Sequence, residues 1–193
     1  MDIQPPWTED DSACDSRIPQ SEEGELELEP TRTVYLRVSS KHLILASAMF
    51  RTMLSPDKFS EGKGLHSEGS LVIPLSDDSN ALIILMYIVH GMTKKVPRKV
   101  TLDTLTKLAI LINYYQLHEA VGLVSDIWIA DLKHESFPNS HVPEVFPWLF
   151  ISWVFHMENE FEQLTRILEY EGDDRLQDNI DRSFFIPASI VSE

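Results

Sequence analysis

The stretch KHLILASAMFRTML, residues 41–54, places a histidine, a serine and small residues inside an apolar run. Its reading decides between a reactive site and a framework helix. Leu43, Ala46, Ser47, Phe50, Met53 and Leu54 recur at three- and four-residue steps, so the spacing predicts one apolar helix face. Ser39 or Ser40 stands where an N-cap is needed, and Ser55-Pro56-Asp57 stops the run. Ser47 falls on the buried stripe, where a hydroxyl bonds the carbonyl of the preceding turn. A nucleophilic serine needs a strained elbow with glycines beside it and a base in reach. Alanines flank Ser47 instead, and the stretch reads as framework.

Composition narrows the classes. The chain has 193 residues, with 16 basic against 31 acidic side chains, a net charge of −15. Such a chain repels phosphate backbones, which argues against nucleic acid as a direct partner. Its one cysteine, Cys14, cannot form an internal disulfide. No run reaches the roughly 18–20 apolar residues of a membrane span. The first 20 residues are acidic and polar, unlike a signal peptide. The expected address is the cytoplasm or nucleus, with no membrane association.

Outward from the opening stretch, residues 1–24 carry Pro5, Pro6 and Pro19 among acidic and polar residues, and read as a disordered acidic tail. Residues 25–29 alternate Glu and Leu, and 33–38 (TVYLRV) are rich in β-branched and aromatic types. Together they predict a short hairpin turned at 29–32. Residues 55–69 read as a mobile loop and 70–75 (SLVIPL) as a strand. Asp78 or Ser79 caps a helix with Leu82, Leu85, Met86 and Val89 on its stripe. Lys94, Lys95, Arg98 and Lys99 form a basic cluster around Pro97 that reads as a plain turn. Two more stripes follow, Leu105, Leu108, Ala109 and Ile112, then Val121, Val124, Trp128 and Leu132, joined at Gln116-Leu117. Ile110, Leu111, Ile127 and Ile129 widen both stripes, so these helices are buried on more than one side or meet a partner. Residues 146–168 keep helical spacing within a C-terminal helical extension, 144–172. Residues 173–193 read as a tail in which Pro187 starts a further helix. The expected fold class is α+β.

Chemistry is harder to find. The histidines at 42, 66, 90, 118, 134, 141 and 156 do not pair at metal-ligand spacing, and Cys14 is remote, so no metal site is expected. There is no GxGxxG and no GxxxxGK[ST], and no cofactor is expected. Asp77 and Asp78 suit helix capping better than acid–base work. The competing class is an enzyme or small-ligand protein with a site assembled from distant residues such as His118, His134 and Glu135. It predicts a deep polar cavity, whereas an interaction module, the expectation here, predicts shallow apolar grooves.

The order of elements sharpens the expectation. Leu43, Ser47 and Phe50 resemble the leucine, serine and phenylalanine of the first helix of the BTB/POZ domain. Tyr87-Ile88-Val89-His90-Gly91 is similar to that family's Y-x-Y-x-G end. Leu108-Ala109 with Tyr115-Gln116-Leu117 resembles its lA-x-x-y-x-l segment. Residues 37–54 are closest in wording to fungal members, which continue with a helical region similar to FPWLFISWVF, 146–155. The resemblance covers 25–133, and more loosely reaches 170. It implies a small sheet packed on a helical cluster, and protein recognition without catalysis. One implied role is homodimerisation through Leu43, Ala46, Met49 and Phe50, with Glu25 at the position of a buried family aspartate. Glu25 is one methylene longer, and Ser39 replaces a usual histidine; both departures count against the strand-exchanged dimer. The other role is a ubiquitin-ligase adaptor binding a cullin scaffold. Phe59-Ser60-Glu61 fits its hydrophobic-x-Glu motif, an aromatic anchor with an orienting carboxylate. Block 144–170 then either extends such a surface or covers Leu123 and Ile127.

Overall fold

The computed structural model describes residues 33–140 and 143–171. Regular structure among them is helical: α1 Ser40–Ala46, α2 Ala48–Met53, α3 Ser60–Glu68, α4 Ser79–Val89, α5 Leu102–Tyr115, α6 His118–Ser136, α7 Val145–Val154 and α8 Glu158–Glu171, with one 3-10 turn at Thr93–Lys95. The leader 1–24, the first hairpin arm with Glu25, and the tail 173–193 lie outside the described residues.

The α+β expectation, a BTB/POZ-type sheet on a helical cluster, is overturned. Residues 33–38 and 70–75 form no strand, and 34–38 and 70–76 make no backbone hydrogen bond. The reason lies in what β-propensity measures, which is packing on a neighbouring strand. With no strand partner among the described residues the apolar side chains stay outside, Tyr35 at 84% and Val72 at 79% exposure. Pro74 also removes a ladder donor from the second segment.

Three helical expectations are corrected as well. The single helix expected over 41–54 is two, broken at Ser47, whose backbone is extended (φ −137°, ψ 126°). The expected loop 55–69 contains α3, whose C-cap Gly69 takes the left-handed conformation at φ 73° and bonds Leu65 O at 3.0 Å. The run 146–168 divides into α7 and α8 at a turn where His156 has φ 54°.

Caps account for several boundaries. Asp78 accepts from Ala81 N at 2.9 Å to start α4, and Thr101 accepts from Thr104 N at 3.2 Å to start α5. Helix α5 ends where Gln116 turns left-handed at φ 54°, which buries Leu117 completely.

Helix α5 is the centre. Its predicted stripe, Leu105, Leu108, Ala109 and Ile112, is fully buried, and α4, α6 and α7 pack around it. Helix α7 buries residues around its whole circumference, from Val145 and Trp148 to Ile151 and Val154, as an inner helix must. Each such side chain stabilises the fold by about 1.5–3 kcal/mol relative to exposure. Trp128 is 1% exposed and donates from Nε1 to Pro97 O at 2.9 Å, tying α6 to the basic turn. No helix among the described residues is long and apolar enough to cross a membrane.

Candidate functional site

The opening stretch is held from both ends. His90 donates from Nδ1 to Met86 O at 2.8 Å and accepts from Ser39 N at Nε2, 2.9 Å. Its ring stacks on His42 with centroids 4.9 Å apart. His90 therefore joins the start of α1 to the end of α4. At the break, the Ser47 hydroxyl accepts from Phe50 N at 3.0 Å and donates to Tyr115 O at 2.5 Å. The Phe50 and Tyr115 rings stack at 4.9 Å, nearly coplanar at 5°. The Tyr115 hydroxyl, in turn, donates to Asp77 Oδ2 at 2.5 Å. Burial first, then the Asp77 carboxylate, pushes the Tyr115 phenol well above its ordinary value, so it stays a donor. Ser47 thus carries a framework role, although its partner is a carbonyl 68 residues away and not the preceding turn.

This anchoring decides which predicted contact residues face outward. Leu43 and Phe50 are 5% and 3% exposed and belong to the chain's own core. Ala46 and Met49 are half-buried at its edge, and Leu45 stands out at 80%. Phe59 occupies the N-cap position of α3 in an extended conformation and is 49% exposed. Glu61 sits in the first turn of the same helix and accepts from the Ser60 hydroxyl at 3.0 Å. The structure therefore places Phe59 and Glu61 at one helix start, where a carboxylate suits the dipole.

The residues of the competing enzyme reading do not converge. His118 opens α6, whereas His134 and Glu135 are near its far end, about 24 Å along the axis at 1.5 Å per residue. Glu135 accepts from Lys99 Nζ at 3.2 Å, and Asp131 accepts from the same ammonium at 3.0 Å. Among the described residues no group of three or more His, Cys, Asp or Glu is placed to hold a metal ion. An open groove of about 420 Å³ is lined by Asp126, Ile129, Ala130, Lys133, Phe155 and Met157. Lys133 pairs with Glu160 beside it, fastening α8 to α6.

His118 instead faces His156, with ring centroids 6.3 Å apart. Burial, and second the neighbouring imidazole, pull the His118 pKa below its ordinary value; a hydrogen bond with the Val154 backbone acts the other way. The unfolded chain then binds a proton that the folded chain resists, so stability falls as pH drops through the ordinary histidine range. His118→Gln is expected to flatten the loss of unfolding free energy between about pH 7.5 and 5.5. Urea titrations of both proteins at each pH check this; parallel slopes count against it.

Apolar surface that the sequence assigned elsewhere is also visible. Leu123 and Ile127 are 80% and 56% exposed, so α7 and α8 do not cover these two. Val34, Tyr35, Leu36 and Val38 add a second exposed group, and Leu71, Val72 and Leu75 a third. Neither group carries a charge signature; what could have flagged them is alternation with no second strand to receive it. Family models, curated proteins and solved structures were compared with the chain, and none matches.

Proposed function

We propose that this chain is a protein-interaction module that self-associates and recruits a protein partner. The observation carrying the proposal is the exposed apolar surface: Val34, Tyr35, Leu36 and Val38, then Leu71, Val72 and Leu75, and Leu45 beside Met49. Exposed apolar side chains grouped in this way mark binding sites for other chains. The resemblance to BTB/POZ proteins, in whose dimers the first helices meet, supports self-association through the residues of that stretch left at the core's edge, Ala46 and Met49. Light scattering across a concentration series is expected to give at least twice the 22.1 kDa chain mass. Met49→Asp is expected to weaken that dimer by about 30–100-fold, the effect of a charge at an interface centre. A dimer indifferent to Met49→Asp sinks the α1–α2 edge.

A second reading, adaptor binding to a cullin-type scaffold, is favoured by the exposure of Phe59 at a helix start beside Glu61. An aromatic anchor accounts for much of an interface's energy. Phe59→Ala is expected to lower affinity for an immobilised cullin by more than about tenfold, and Glu61→Ala by less. Equal binding by wild type and Phe59→Ala removes this reading.

A further inference from the structure

The exposed face of α6 has a symmetry of its own. On one stripe of α6 the exposed residues Glu119, Leu123, Asp126, Ile127, Ala130 and His134 are separated by steps of four, three, one, three and four, while exposed Glu135 and Ser136 at the helix end lie off that stripe. That spacing reads the same in both directions about a point between Asp126 and Ile127. At about 100° per residue these side chains form one stripe, with Leu123 and Ala130 at its centre and Asp126 and Ile127 on opposite rims. A two-fold axis through the midpoint lays a second α6 antiparallel on the first. Glu119 then meets His134 of the second copy, an acid against an imidazole donor, twice over. Leu123, 80% exposed, meets Ala130 of the second copy, beside which the groove of about 420 Å³ has room for a leucine. Ile127 meets its own copy on one rim, and Asp126 meets its own copy on the other.

We propose that this α6 face is an interface between two copies of the chain. The proposal rests on the reading as an interaction module and names a second self-association surface, distinct from the α1–α2 edge, so a chain that uses both assembles beyond the dimer. An isologous interface must be self-complementary, and the stripe satisfies that for size and for the two Glu119–His134 pairs. Its one unfavourable contact, Asp126 against Asp126, supplies a test that a purely structural role of α6 does not imitate.

The experiment is sedimentation equilibrium of the full chain over a concentration series, with circular dichroism as the check on folding. Leu123→Glu is expected to weaken the dimer by more than about 30-fold with an unchanged helical spectrum, because Leu123 is exposed. Asp126→Asn is expected to tighten it by about three- to tenfold and to reduce its salt dependence. Glu119→Lys is expected to weaken it, and adding His134→Glu to restore it. A dimer untouched by Leu123→Glu but split by Met49→Asp overturns the α6 face and keeps self-association. A chain monomeric throughout overturns both self-association surfaces and leaves the cullin measurement to decide the module reading.

Discussion

Ser47→Ala is expected to lower the unfolding free energy by about 2–3 kcal/mol, most of it from one hydroxyl. That hydroxyl serves two helix ends at once. It caps α2 by accepting from Phe50 N, an interaction worth about 1 kcal/mol. It also donates to Tyr115 O, one of the carbonyls that the end of α5 leaves without an intrahelical partner. Ser47 is 1% exposed and Tyr115 2%, so water cannot replace the lost donor, and an unsatisfied buried carbonyl costs about 1–3 kcal/mol. Urea unfolding followed by tryptophan fluorescence measures the difference. A loss under about 0.5 kcal/mol, the scale of a surface substitution, contradicts the double role.

Gly62→Ala is expected to cost a similar amount, about 2–3 kcal/mol, by a steric route. Gly62 is buried, and a Cβ there falls within contact distance of the Ser55 carbonyl carbon and oxygen. These are backbone atoms, so no side-chain rotation relieves the clash, and α3 must lift from the turn before it. Gly64→Ala is the control. Its Cβ meets only Leu71 Cδ1, at an ordinary 3.5 Å, and better helix propensity makes that change neutral or stabilising by up to about 1 kcal/mol. Thermal unfolding of the two variants side by side tests the contrast. Because Phe59 precedes α3, Gly62→Ala is also expected to weaken any partner contact made through Phe59 and Glu61.

Some of this was legible because it is local. The stripe on α5 needs only a period of 3.6 to appear, and Asp78 announces the start of α4 by residue type and position. Helix α3 was not legible, since SEGKGLHSE holds two glycines and few apolar residues. Its helix depends on the close approach of Gly62 to Ser55 and on the left-handed Gly69, neither of which leaves a periodic trace. The candidate site divides in the same way. Phe59 and Glu61 were recognisable as a tripeptide, but the exposure of one beside the other depends on α3 having formed. Leu43 and Phe50 were recognisable as apolar, and apolarity does not say whether a residue faces its own core or another chain.

Periodicity, capping chemistry and charge were already present in the order of residues: which segments are helical near α4, α5 and α6, which faces of them are apolar, and a net charge of −15. These depend on neighbours within about two turns, where backbone geometry alone sets the spacing. Tertiary structure decided the break at Ser47, through a carbonyl 68 residues away, and the burial of Leu43 and Phe50. It also decided the fate of 33–38 and 70–75, because strand-like residues become a sheet only when another strand offers them a ladder. Contacts between distant residues form only once loop closure is offset by packing, so no local pattern encodes them.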